Sequence, residues 1–465
     1  MRYKKILCIP MFSSYFIFSS LLSAAVDETP TQYEEWAVKP FVFTSDLEVE
    51  KDANLTNHKK WIISPVAFST DSTGFFAGIG VIKEGLFQPQ TTLIASLFRG
   101  LNQNVIINGR SRQKYFSGGF ISFSDLKLPK TERTFFSLMG VKSYFPKMKH
   151  YIDGSNDSSK SDVITSAGDA NFFNTTFRYV LPIGAGLENP GEISSLQDGF
   201  ALGRHASGDG TPLLTGSTSI GLKTFYQLEN SENTLLWTDP IWWQHGTSLP
   251  TWSTNGLRLF LTHDNTDFDL NPSKGYQFEV KYSKDFGWGN SLQSWDSLTA
   301  KYNHYLNLDT FSFTKQNVLA LSLWTAYSFS WDNNKEIAPG VNAHRPPTWE
   351  GARLGGLIRM RAYDQNRFSD KAALYATAEY RTIIDYNPLK NYDSVNVPIE
   401  WFQVVGFIEA GRVHEEYNLD LLSAIKYDVG VSLRAMVVEL PIRFDIAYGS
   451  EGTNMWFMFN QPFDF

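Results

Sequence analysis

Residue types able to carry covalent or metal chemistry are present in this chain but dispersed. The eight histidines, His58, His150, His205, His245, His263, His304, His344 and His414, include no i, i+4 pair of the kind that holds zinc on a helix. No Gly-x-Ser-x-Gly occurs, which removes the nucleophile elbow and the patatin-type module built on it. His263 and His304 fall near strand ends or on outward parity, where a neighbouring hydroxyl is within reach, but surface histidines are the commoner outcome of such placement. The reading is therefore of a protein that is not an enzyme, with no catalytic residue, no metal and no cofactor assigned. What remains is charge. Glu379, Glu409 and Asp428 share one face of three successive alternating segments, where confined carboxylates call for a cation to pair with.

The elements that carry these charges read as strands. Tyr276, Phe278, Val280 and Tyr282 alternate with Gln277, Glu279, Lys281 and Ser283; Tyr427, Val429, Val431 and Leu433 alternate with Asp428, Gly430, Ser432 and Arg434; Ile442, Phe444, Ile446 and Tyr448 alternate with Arg443, Asp445, Ala447 and Gly449. Charge keeps to one face of each. Phe457, Phe459, Phe463 and Phe465 share parity at the end of the chain, as in the closing strand of a bacterial outer-membrane barrel with an apolar, aromatic-girdled exterior. Aromatics make up 15% and charged residues only 19%, yet mean hydropathy is negative; a polar-lined barrel reconciles the two. No later stretch reaches the roughly 20 apolar residues of a spanning helix, so a bilayer must be crossed with strands.

The other end of the chain indicates export. Arg2, Lys4 and Lys5 precede an apolar run from Ile6 to Leu22, and Ser23-Ala24-Ala25 supplies small residues for cleavage, so 1–25 is expected to be a signal peptide. The single cysteine, Cys8, would leave with it, so the mature chain forms no disulfide. The net charge of −7 becomes more negative when those three cations go, which argues against nucleic acid as a partner. Residues 26–58 are expected to be a short periplasmic segment, too short for an independent domain, with the basic cluster His58, Lys59 and Lys60 a solvated flank.

The fold class is thus all-β: a transmembrane antiparallel barrel over 59–465. About 16 strands fit, at roughly 25 residues per strand and connection. Strands are expected near 61–69, 73–83, 90–99, 104–124, 132–145, 171–184, 218–228, 256–267, 276–285, 297–307, 317–330, 372–385, 400–412, 426–438, 441–449 and 455–465. Short turns at Leu440-Pro441 and Asn271 to Gly275 fall on the periplasmic side with the C-terminus. The long segments 331–371, 229–255 and 185–217 are expected to face outward, as is the Ser/Asp/Asn-rich 153–170. Trp237, Trp242, Trp243 and Trp252 read as interface anchors.

One segment resembles a known family. Leu354-Gly355-Gly356-Leu357-Ile358-Arg359-Met360-Arg361-Ala362-Tyr363, then Asn366-Arg367-Phe368 and Tyr375 to Arg381, is similar to the sixth-loop signature of the BamA/TamA outer-membrane assembly-factor superfamily, also called the bacterial surface antigen barrel. Asn271-Pro272-Ser273-Lys274-Gly275-Tyr276, Gly406 to Gly411 and Pro441 to Asp445 add to it, so the resemblance covers about 250–465. It implies a long sixth outer loop, 331–371, folded inward with Met360, Arg361, Ala362 and Tyr363 at its tip. Glu379, Glu409 and Asp428 are then the candidate lumen partners of Arg361, as a latch for the barrel or as part of gating. Ala362 stands where the family has glycine, so a left-handed backbone there would be strained. The short N-terminal segment leaves no room for POTRA domains, and Pro462 in a closing strand implies either a weakened seam or a local bulge.

By this resemblance the protein resides in the bacterial outer membrane and serves in insertion or translocation of protein or lipid. Its partners would be outer-membrane lipid and a client or an unidentified periplasmic protein. The rival readings are a passive or gated pore for small solutes and a surface receptor or adhesin.

Overall fold

Strict alternation makes a sheet that is apolar on one side and polar on the other, and such a sheet is stable in a membrane only when it curls so that its polar face is enclosed. A computed structural model describes residues 61–70, 72–151, 154–161, 163–191, 196–201, 210–232, 251–338, 341–347, 350–389, 399–437, 440–459 and 461–463. It shows one antiparallel sheet of sixteen strands in simple sequential order. The strands are β1 (Trp61–Thr70), β2 (Gly74–Glu84), β3 (Thr92–Gly100), β4 (Ser117–Lys127), β5 (Thr134–Tyr151), β6 (Val163–Val180), β7 (Ser217–Asn230) and β8 (Thr251–Asp264). They continue as β9 (Gly275–Asp285), β10 (Trp295–Leu308), β11 (Thr314–Tyr327), β12 (Ala372–Ile384), β13 (Ile399–His414), β14 (Lys426–Val437), β15 (Leu440–Gly449) and β16 (Gly452–Phe459). The expected signal, the segment 26–58, Phe465, Trp237, Trp242 and Trp243 lie outside the described residues.

The two faces differ as a barrel requires. Along β14, Val431 and Leu433 are 57% and 53% exposed, while Ser432 and Arg434 between them are 2% and 1% exposed. The outer face therefore meets lipid and the inner face is filled. Across the seam, Ile442 of β15 and Phe457 of β16 pack against an apolar cluster that includes Phe76, Ile94, Phe120 and Phe145, so the end of the sheet meets its beginning.

Several expectations need correction. The connection between β6 and β7, 181–216, lies on the same rim as both ends of the sheet, the periplasmic rim, and not outside. An even-numbered strand descends, so a long connection after β6 must sit there whatever its length. From that rim a hairpin of Leu196–Gln197 with Phe200–Ala201 reaches β13, where the Trp401 indole N–H donates to the Gly199 carbonyl at 3.0 Å and Phe200 leans on the same ring. Residues 163–170 belong to β6 rather than to a loop, and β5 continues to Tyr151; both are 18 residues long. That exceeds the roughly 9–11 residues that cross a bilayer, and polar side chains are at home on the part that projects outward. Residues 104–124 divide into a hairpin, Gln103–Ile107 with Arg110–Lys114, and the start of β4.

The closing strand also ends early. β16 stops at Phe459, and Gln461, Pro462 and Phe463 turn inward and are buried. Phe457 pairs with Phe444 and packs against the cluster around Phe76, and Phe463 does not continue its face. Pro462 accordingly interrupts no ladder.

Candidate functional site

The outer connection between β11 and β12 is the long sixth loop. Its stem is a short pairing of Ala352–Leu354 with Phe368–Asp370, and the chain between them folds into the lumen. Gly355 and Gly356 reverse the chain with φ of 103° and 110°; a Cβ on Gly355 would collide with the Asp364 carbonyl. The tip closes as a turn in which the Tyr363 N–H donates to the Met360 carbonyl at 3.0 Å. The left-handed residue is Met360, φ 59°, and not Ala362, so the expected strain at Ala362 does not arise. Room for its methyl comes from across the lumen, where a Cβ on Gly449 would sit 3.0 Å from Ala362 Cβ.

Arg361 is fully buried among carboxylates from three strands. Its Nη2 lies 2.8 Å from Glu379 of β12, its Nε 3.2 Å from Glu409 of β13, and its Nη1 3.4 Å from Asp445 of β15, with the guanidinium 3.4 Å over the Phe407 ring. Glu409 and Asp428 face each other in register on β13 and β14. The tip backbone separates their demands: the Arg361 N–H donates to Glu409 at 2.6 Å and the Ala362 N–H to Asp428 at 3.1 Å. Asp428, proposed as an acceptor for Arg361, thus serves the adjacent backbone instead.

The network extends beyond the residues the sequence singled out. Glu379 also receives Arg381 at 2.8 Å and Arg434 at 2.9 Å, and Arg443 holds Asp445 while donating to the Leu357 carbonyl at 2.6 Å. Four arginines and four acids therefore close on one another in a buried space, where an unpaired member would be costly. The last strand is tied in as well: the Trp456 indole donates to the Arg361 carbonyl at 2.6 Å, and Asn454 donates to the Ala362 carbonyl at 3.0 Å and to the Asp364 carboxylate at 3.4 Å. Asp445, Arg434 and Arg443 were signalled by parity, since all stand on the charged face of their strands. Trp456 and Asn454 carried no comparable signal.

Above the tip, the loop is fastened to the outer rim. Asp364 accepts from Tyr151 at 2.6 Å and from Lys149 at 3.0 Å, both on the projecting end of β5. Burial alone would raise the Asp364 carboxyl, but the Tyr151 hydroxyl and the Lys149 ammonium hold it below the usual carboxylate range. Arg367, fully buried, donates through Nε to Glu451 at 2.9 Å and through Nη1 to the Ser158 hydroxyl at 2.8 Å. Elsewhere His263 meets the Thr218 hydroxyl and His304 the Tyr302 hydroxyl. Trp252 is buried on β8.

These features define a class, the transmembrane β-barrel whose lumen is occupied by its own inward sixth loop. Residues 201–465, more than half of the chain, match the model of the Omp85 superfamily domain, and the chain belongs to that superfamily. It is a bacterial outer-membrane protein. Among solved structures it is similar to CdiB from Escherichia coli, at 9% identity and a TM-score of 0.52, covering 85% of this chain and 61% of that one. Matches to CdiB from Acinetobacter baumannii (11% identity, 86% and 59% covered, TM-score 0.49) and to BamA from Haemophilus ducreyi lacking POTRA domains 1–3 (12% identity, 86% and 69% covered, TM-score 0.46) accompany it. The chain thus spans about three-fifths of the CdiB structures. The comparison with curated proteins gave no match.

Proposed function

We propose that this barrel acts, without catalysis, in the insertion or translocation of protein at the outer membrane, with lipid and a client chain as its partners. The observation that carries this reading is the coupling of the sixth-loop tip to the last strand. β16 has only eight residues, and Trp456 and Asn454 attach it from inside to the carbonyls of Arg361 and Ala362. Releasing the tip would loosen the last strand of the sheet and present backbone N–H and C=O groups on which an incoming strand can pair. A lumen filled by a pinned loop opposes free passage of solutes, so a passive pore fits these contacts less well.

The test uses the mature chain from Val26 to Phe465 in liposomes, with the folding rate of a small unrelated outer-membrane protein as the readout. Acceleration over protein-free liposomes, changed in an Arg361→Ala variant that is itself folded, is the expected result. No acceleration by a correctly folded barrel would overturn the reading.

A further inference from the structure

The outward face of β3 to β6 changes character over two rows of residues, and strand register fixes where. Ala95 of β3, Ile121 of β4, Gly140 of β5 and Phe173 of β6 stand in one row across the sheet, with Ile121 and Phe173 each 48% exposed. That row meets lipid chains. The next row toward the outer rim is Leu97, Gly119, Lys142 and Asn171, and the one after it Arg99, Ser117, Tyr144 and Asp169. Lys142 and Arg99 are both exposed. A cation on the lipid face of a barrel is tolerated cheaply only near the headgroups, so these two mark the border.

Above that border the hairpin of Gln103–Ile107 with Arg110–Lys114 is laid against the outside of the barrel. Its Val105 and Ile107, each 3% exposed, pack on Ala167 of β6 and Tyr144 of β5, and Tyr144 faces outward because its neighbour Phe145 belongs to the lumenal cluster. The Tyr144 hydroxyl and the Lys114 ammonium both bind Glu232, at 2.8 Å and 2.7 Å. The hairpin is thereby fixed before any ligand arrives. Pairing of Val105 with Arg112 and of Ile107 with Arg110 puts both arginines on the face that packs on the barrel, yet both are exposed and about 7 Å apart along their strand.

None of Arg99, Arg110, Arg112 and Lys142 has a carboxylate partner among the described residues; Arg99 stacks on Tyr115 at 4.4 Å. The carboxylates of this flank are already engaged, Asp169 by Asn230 at 3.2 Å and Glu232 by Lys114. What matches four exposed cations at the edge of an apolar surface is phosphate on a lipid, since guanidinium presents paired N–H groups to its oxygens and each cation near an anionic lipid surface adds to the attraction.

We propose that this flank, Arg99 and Lys142 of the wall with Arg110 and Arg112 of the hairpin, is a binding site for the phosphate-bearing headgroup of an outer-leaflet lipid. The lipid chains lie along Leu97, Ile121 and Phe173, directly below the cations, which is why the occupant is a lipid and not a free anion. The site makes specific the lipid partner that the functional reading leaves general. It rests only on residence in the outer membrane, so a barrel that fails to accelerate folding of another protein leaves it standing.

The probe is fluorescently labelled lipid A, a phosphorylated glycolipid, titrated onto the detergent-solubilised full-length barrel, with folding checked by heat-modifiable gel migration. Neutralising the site with Arg99→Gln, Arg110→Gln, Arg112→Gln and Lys142→Gln together is expected to weaken binding at least about tenfold. Neutralising the exposed Lys130, Lys274 and Lys335 to Gln instead leaves it unchanged. Lipid A stripped of its phosphates binds wild type no better than it binds the fourfold variant. Equal loss in the site and control variants, or wild-type affinity that survives removal of the phosphates, overturns the proposal. Inorganic phosphate that displaces the lipid at equal concentration also overturns it, because the site would then be one for a small anion. Should the fourfold variant fail to fold, Arg110→Gln with Arg112→Gln, both on the exposed hairpin strand, decides: binding at least about threefold weaker supports the site, and unchanged binding overturns it.

Discussion

The two walls of this barrel are filled by opposite means. On the side of β2 to β6 the lumen holds an apolar cluster in which Phe76 and Phe116 lie 4.8 Å apart and Phe116 and Phe145 5.0 Å apart, each ring partnered by its neighbours. On the side of β12 to β15 the wall presents Glu379, Arg381, Glu409, Asp428, Arg434, Arg443 and Asp445, all buried. No residue of the sixth loop belongs to the first cluster. The second is complete only with the sixth loop in place, because Arg361 and the adjacent N–H groups supply what its carboxylates lack. Were the loop to leave, that wall alone would lose its partners.

Substitutions that break the comparison should rank accordingly. Glu379→Ala removes the one carboxylate shared by Arg361, Arg381 and Arg434. We expect it to cost more than the about 3–5 kcal/mol of a single broken buried pair, read as loss of heat-resistant folded protein on a gel. Arg361→Ala should cost about 3–5 kcal/mol by the same readout and leave the loop open to protease. On the apolar wall, Ile94→Val removes one methyl and should cost about 0.5–1.5 kcal/mol without changing protease access to the loop. Equal loop release from both walls would erase the distinction.

The smallest effect concerns pH. The folded-state Asp364 carboxyl lies below its ordinary range, so its contribution to stability is present above the unfolded value of about 3.9 and is lost as pH falls through the lower folded value. Acidification below the usual aspartate range should therefore loosen the attachment of the loop to Tyr151 and Lys149. Protease cleavage in the loop, compared between wild type and Asp364→Asn, checks this, the variant being loose already at neutral pH.

Much of this arrangement was legible in residue order. Alternation placed β9 to β15 to within a few residues, because in a membrane every second side chain must be apolar. The same parity put Glu379, Glu409 and Asp428 on the inner face, and the loop resemblance put Arg361 opposite them. Which carboxylate takes the guanidinium was not legible: the tip turn aims the Ala362 N–H at Asp428 and frees Arg361 for Asp445. The projecting ends of β5 and β6 were missed because strand outside the bilayer loses the apolar alternation that marks it. The inward Phe463 was missed because its spacing from Phe457 and Phe459 suits a continuing strand equally well, and only the Arg381, Lys301 and Asn303 contacts show where it goes.

The central claim is that the sixth-loop tip holds the last strand. Hydrogen exchange of backbone amides in the liposome-embedded barrel tests it directly, comparing wild type with Arg361→Ala. The account predicts faster exchange in Leu357 to Tyr363 and, together with it, in Thr453 to Phe459, while β3 and β4 stay as protected as before. Faster exchange in the loop alone, with β16 unchanged, would contradict it.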